Sequence, residues 1–205
     1  MSVHNKGKSL IIVISAPSGC GKTTLGRRLL ASVKNITRSI SCTTRKPRGR
    51  EVDGKDYYFI SNNEFARKLE NGDFIEHAVV HGHKYGTLHK TINDALKAGK
   101  SVLLIIDVQG AGMVRKIISK APASDLLRRG FVDIFIMPPS LEELRKRLER
   151  RSEDNEKEIS ARIKNAKREM KCANDFKYVV VNDKLDTAFR ELKGIVEEEL
   201  CETES

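Results

Sequence analysis

The segment Ala16-Pro17-Ser18-Gly19-Cys20-Gly21-Lys22-Thr23 constrains this chain more than any other. It follows a short apolar run, Leu10 to Ser15, and leads into a helical pattern through Leu25, Leu29 and Leu30. Strand, glycine-rich turn and helix in that order make a phosphate cradle. The glycines let backbone N–H groups curl round an anion, and the helix N-terminus adds partial positive charge. The spacing is that of GxxxxGK[ST], with Ala16 in the first glycine position. In such a loop Lys22 reaches the outer phosphates of a nucleoside triphosphate, and the Thr23 hydroxyl is placed to ligate Mg²⁺. A turn that merely caps a helix is the competing reading, and the strand before and helix after argue against it. Residues 16–23 are therefore the expected ATP-binding loop.

A loop of this kind sits at the edge of a buried parallel sheet. Ser101 to Asp107 is a second near-continuous apolar run, and Val132 to Met137 and Tyr178 to Val181 follow helical stretches. Runs that are apolar at every position belong to strands covered on both faces. Their alternation with helices predicts an α/β fold: a P-loop parallel-sheet core flanked by helices, over residues of about 8–38, 88–140 and 172–205. Ser61-Asn62-Asn63-Glu64 and Ser140-Leu141-Glu142-Glu143 read as capping boxes opening helices, and Gly99 closes a short helix from Thr91 to Ala98. Asp107, ending its apolar run beside the P-loop, is the expected metal or water ligand, with a cap on the following turn as the alternative. Residues 39–87 read as an inserted, β-rich subdomain. Residues 141–171, charged and helical with a break at Ser152 to Asn155, read as a mobile lid.

Charge narrows the partner to an anion without choosing among nucleic acid, acidic membrane and phosphorylated small molecules. The 38 Lys and Arg against 28 Asp and Glu leave +10, which favours an anionic partner. No helix-turn-helix, RNP or zinc-finger pattern accompanies that charge, so nucleic acid is not expected. The longest apolar runs are strand-sized against the roughly 20 residues a membrane span needs, so no membrane partner is expected either. The basic N-terminus lacks a cleavage site, and the 4 cysteines show no CxxC spacing; both point to a reducing, cytoplasmic setting.

The stretch Ser41-Cys42-Thr43-Thr44-Arg45-Lys46-Pro47-Arg48-Gly49-Arg50-Glu51 through Phe59 gathers guanidinium groups and Tyr hydroxyls suited to a second phosphate, although alone it reads equally as a solvated basic loop. With the P-loop it resembles the signature of the guanylate kinases, in Thr43-Thr44-Arg45, Arg48, Glu51, Gly54, Tyr57 and Phe59. The resemblance continues through Phe74-Ile75-Glu76, Tyr85-Gly86-Thr87, Asp107-Val108-Gln109-Gly110, Pro138-Pro139-Ser140 and Val181-Asn182-Asp183. It implies Mg²⁺-dependent phosphoryl transfer from ATP to GMP, and to dGMP, giving the diphosphate and ADP. It also implies that Arg45, Arg48, Tyr57 and Tyr85 hold the GMP phosphate, and that Ser41, Glu76 and Thr87 face the guanine. Arg147, Arg151 and Arg162 match arginines that act with Lys22 and Arg45 on the transferring group, and Asn182 lies where the family approaches adenine. The spacing of Arg147 and Arg151 equally suits one solvated helix face.

Several residues depart from the family pattern. Ile105 stands where an Asp is common, Gly49-Arg50 inverts the usual order, Glu149-Arg150-Arg151-Ser152 lacks the glycines often found in the lid, and Lys116 to Gly130 is longer than typical. His77, His81, His83 and His89 cluster without a nearby cysteine, which makes zinc the weaker reading. Two other functions fit part of the sequence: a guanylate-kinase-like binding module, and a P-loop kinase of another small phosphorylated substrate. Retention of Lys22 and Thr23 favours catalysis.

Overall fold

The computed structural model describes residues 9–80, 82–150 and 155–201. Strand β1 (Ile11–Ser15) is buried at every position. It lies between β7 (Ser101–Ile105) and β8 (Phe131–Met137) in an all-parallel sheet that β2 (Ile36–Arg38) and β9 (Tyr178–Val181) complete, in the order β2-β7-β1-β8-β9. The pleat explains the unbroken apolar run. Ile12 and Ile14 point to one face, where Leu25 and Leu29 of α1 (Lys22–Ser32), Leu144 and Leu148 of α6 (Leu141–Glu149), and Leu192 and Val196 of α8 (Leu185–Cys201) cover them. Ile11 and Val13 point to the other, against Ile92 and Leu96 of α3 (His89–Lys97) and Val114 and Ile118 of α4 (Val108–Lys120). Each such fully buried side chain contributes roughly 1.5–3 kcal/mol.

Strand β8 breaks its apolar pattern at Asp133, which is 2% exposed. Its Oδ2 accepts from Arg115 Nη1 at 2.5 Å and its Oδ1 from the Lys177 backbone N–H at 2.9 Å, so the buried charge is paired and hydrogen-bonded. The long stretch after Lys116 resolves into the end of α4 and a short helix α5 (Leu126–Arg129), capped by Asp125 and anchored by buried Leu127.

A second, mixed sheet runs β4-β3-β6-β5, from β3 (Cys42–Thr43), β4 (Tyr58–Phe59), β5 (Phe74–Val80) and β6 (His83–Leu88). Phe65 of α2 (Asn62–Glu70) stacks on Phe74 at 4.6 Å between ring centroids and gives it a small core. Ser61 caps α2, Ser140 caps α6, and Asn155 makes a full capping box at α7 (Glu156–Glu169). The strand expected over 101–107 ends two residues earlier, because Asp107 turns out to be the N-cap of α4. Helix α3 starts two residues before Thr91. Among the described residues no helix is long and apolar enough to cross a membrane.

Candidate active site

The P-loop joins β1 to α1 at the carboxyl end of the parallel strands. Gly19 (φ +91°) and Gly21 (φ +86°) both take the left-handed backbone that curls the loop, and Gly21 is the N-cap of α1. Behind the loop, Asn182 Nδ2 donates to Cys20 O at 2.9 Å, while Asn182 N donates to Met137 O at 2.8 Å. A Cβ at residue 21 would lie 2.5 Å from that same Nδ2. Asn182, expected near the adenine, is buried as a strut and is not among the residues that line the cleft; its amide is engaged with the loop itself. Burial pushes the Cys20 thiol up to about 12, so it packs and does not react.

Lys22 Nζ donates to Ile106 O at 3.0 Å, at the mouth of β7. Burial lowers its pKa, and the carboxylates of Asp107, Glu169 and Glu76 work against that shift and favour the charged form. Asp107 makes the cap that is the alternative reading for it, and the residue also faces the cleft. Its Oδ1 caps α4 by accepting from Gly110 N at 2.8 Å, and the residue lines the cleft together with exposed Thr23.

Helix α7 supplies the opposite wall. Arg162, Asn165, Ala166 and Glu169 follow the 3-4-7 spacing of one helical face, and all four line the cleft. Arg162 Nη1 reaches Ser18 Oγ at 3.4 Å, and burial raises the Glu169 pKa. Arg147, expected on the transferring group, is engaged with other parts of the protein in this structure. Its guanidinium donates to Glu143 Oε1 (3.2 Å), Asn182 O (2.8 Å) and Asp183 O (3.1 Å), tying α6 to the turn after β9, and it does not line the cleft. Arg151 lies outside the described residues, as does His81.

The smaller sheet brings together three residues expected at the base. Thr87 Oγ1 donates to Glu76 Oε1 at 2.5 Å, and Ser41 Oγ lies 3.2 Å from Thr87 Oγ1. A hydroxyl has one hydrogen, so with Thr87 giving its own to Glu76, Ser41 is the donor in the second pair. The chain Ser41–Thr87–Glu76 is therefore directional and ends on a carboxylate that is 5% exposed. Burial pushes Glu76 up to about 7, with the Thr87 hydrogen bond opposing and Asp107 adding to the rise. Residue 110 helps by lacking a side chain, since a Cβ there would meet Glu76 Oε2 at 2.8 Å.

Tyr57 and Tyr85 face the cleft edge to face, 5.9 Å apart. Arg45 is 7% exposed and sits behind them. Its Nη1 and Nη2 each donate to a Glu51 oxygen at 2.9 Å, and its Nε donates to Tyr85 Oη at 3.2 Å. Glu51 thereby raises the Arg45 pKa and is itself held below the usual carboxylate range. Arg48 gives Glu51 its backbone N–H at 2.8 Å. Neither Arg45 nor Arg48 lines the cleft. Residues that sequence reasoning missed do line it: Arg38, Ser39, Gln109, Asn165 and Glu169. Ile105, in place of the expected acid, packs on Gly26 of α1. His77, His83 and His89 fall at β5, β6 and the start of α3, and no group of three metal-ligating side chains forms among the described residues.

These walls enclose a cleft of about 680 Å³, lined among the described residues by the phosphate loop, by Lys22, Arg38 and Arg162, and by the buried Ser41–Thr87–Glu76 chain. In comparison with known proteins, residues 8–199 match the profile of the family described as guanylate kinase. The chain is 42% identical over 193 residues to the guanylate kinase of Nitrosospira multiformis, covering 94% of this chain and 87% of the relative. It is 43% identical over 201 residues to that of Caldanaerobacter subterraneus, covering 98% and 92%. The crystal structure of guanylate kinase from Anaplasma phagocytophilum superposes with a TM-score of 0.73 at 38% identity, covering 96% of this chain and 89% of that one.

Proposed function

This chain belongs to the guanylate kinase family, and from that premise we propose that its cleft transfers the terminal phosphoryl group of ATP to GMP, giving ADP and GDP in purine nucleotide metabolism. The observation that carries the reading is the buried chain Ser41–Thr87–Glu76 opening into the same cleft as the P-loop. Guanine presents N1–H and an exocyclic amine as adjacent donors, which one ionised carboxylate accepts together. Adenine turns an unprotonated N1 towards the same place and leaves the charge unpaired. We assign the base to Glu76, Thr87 and Ser41, and the phosphate of GMP to Tyr57, Tyr85, Arg45 and Arg48.

Phosphoryl transfer asks for positioning and charge neutralisation more than for covalent help. Lys22, held near the strand end by Ile106 O, carries its charge to the transferring group, and Arg162 approaches from α7 over Ser18. Glu51 aims the Arg45 fork and leaves its Nε on Tyr85, so in this reading it is a positioning residue for the phosphate clamp. Arg147 and Arg151 join as residues 141–171 close as a lid over the core, while residues 39–87 move as the acceptor subdomain; closure excludes water from the transfer. Thr23 and Asp107, whose hard oxygen donors line the cleft, would hold Mg²⁺. When bound, the ion supplies charge neutralisation on the phosphates. The 4 cysteines, unpaired in the structure, support a cytoplasmic location.

A coupled assay with ATP against GMP, dGMP, AMP, CMP and UMP tests the reading. Turnover with GMP and dGMP well above the others is expected, and a preference for a different acceptor would overturn it.

A further inference from the structure

Of the five arginines expected on the phosphates, the four among the described residues differ in how available they are. Arg45 is paired with both oxygens of Glu51, Arg147 is held by Glu143 and two carbonyls, and neither they nor Arg48 line the cleft. Besides Lys22 and Arg162, one further cation lines the cleft among the described residues, Arg38. It ends the three-residue strand β2, is half-buried, and holds its Cζ 5.9 Å from the Tyr57 ring centroid. Arg45 Cζ lies 5.5 Å from the same ring. Tyr57 is therefore flanked by two guanidinium groups. Only Arg45 has a carboxylate partner among the described residues.

The neighbouring Ser39 also lines the cleft, and its hydroxyl is buried with no hydrogen-bond partner among the described residues. Arg38 brings to the cleft, beside Tyr57, a guanidinium with no carboxylate partner among the described residues, and a phosphate there would supply its counter-charge. We infer that Arg38 is a further substrate-binding residue, donating from its guanidinium to the phosphate of the acceptor nucleotide next to Tyr57. This rests on the GMP kinase reading. A planar fork suits phosphate oxygens, and the aromatic face keeps the fork in place while the cleft is open. Arg38 thus meets the acceptor phosphate in the open cleft, ahead of any rearrangement around Arg45.

Titration calorimetry with GMP and with guanosine, which lacks the phosphate, on wild type, Arg38→Gln and Arg38→Lys tests the inference, with steady-state kinetics alongside. Arg38→Gln is expected to weaken GMP binding by roughly ten- to a hundredfold, the range for a charge-assisted contact, with guanosine binding unchanged. Arg38→Lys should recover part of the loss. KM for GMP should rise while KM for ATP stays within about twofold. Unchanged GMP affinity in Arg38→Gln would overturn the inference. So would equal losses for GMP and guanosine, since Arg38 would then only shape the pocket. A wild type that fails to turn over GMP would overturn the functional reading, and this inference with it.

Discussion

Replacing Glu76 by Gln should make this protein more stable and a worse kinase at the same time. Glu76 is 5% exposed, and burial is the main reason its pKa is pushed from 4.5 up to about 7. In the unfolded chain the carboxyl ionises near 4.5; in the folded chain it keeps its proton to about 7. Between those values the native state binds more protons than the unfolded state, so this group's contribution to stability falls as pH rises through the window. At about 1.36 kcal/mol per unit, the shift amounts to about 3 kcal/mol of lost stability at pH 8 and almost none near pH 4.5. A glutamine keeps the shape without the charge. It can give its amide hydrogen to Thr87, whose hydroxyl then turns to Ser41. Urea unfolding of both proteins between pH 5 and 8 should show the mutant's advantage growing with pH, towards about 3 kcal/mol as an upper bound. The mutant amide offers guanine one acceptor and one misplaced donor. kcat/KM for GMP should therefore fall at least about a hundredfold, and the GMP-over-AMP preference should narrow. A stability difference that is flat across that pH range, or an unaltered preference, would refute the argument that a buried, strained carboxylate reads the base.

Three other substitutions probe the loop and the core. Lys22→Met removes a cation from the transferring group without disturbing the sheet. Turnover should fall by roughly a hundredfold or more with an unchanged far-ultraviolet spectrum, and activity within threefold of wild type would count against the P-loop assignment. Gly21→Ala places a Cβ at φ +86° and 2.5 Å from the Asn182 amide, so KM for ATP should rise and stability should drop by about 1–3 kcal/mol; calorimetry showing neither would undo the strut described for Asn182. Asp133→Ala leaves Arg115 and the Lys177 N–H without their acceptor, and denaturant unfolding should show a loss of about 3–5 kcal/mol, against less than 1 for an incidental surface pair.

The parallel core was legible because its signal is local. Ile11 to Ser15 and Ser101 to Ile105 are apolar at every position, which only a sheet covered on both faces can use. What the pattern leaves open is where a strand stops. Ile106 and Asp107 continue the run in sequence, yet the carbonyl of Ile106 turns to Lys22 and the carboxylate of Asp107 turns to Gly110. Both contacts depend on what lies opposite. Asp133 was hidden for the same reason: one acid in an apolar strand is tolerable only because Arg115, on α4, comes to meet it.

The site divides along the same line between residue type and residue availability. The P-loop is eight consecutive residues, so its chemistry could be read directly, whereas the α7 face needed a direction as well as a spacing. Asn165 and Glu169 follow Arg162 at 3 and 7, but only packing beside Ser18 turns that face to the P-loop. Arginines show the difference most sharply. The motif around Arg45 advertises a free cation, yet a guanidinium that is 7% exposed must be paired to be buried, and Glu51 supplies the partner six residues on. Arg38 carries no motif and ends a strand of three residues. It stays half-buried without a carboxylate because the open cleft solvates it on one side, and that same opening is the route by which a phosphate reaches it.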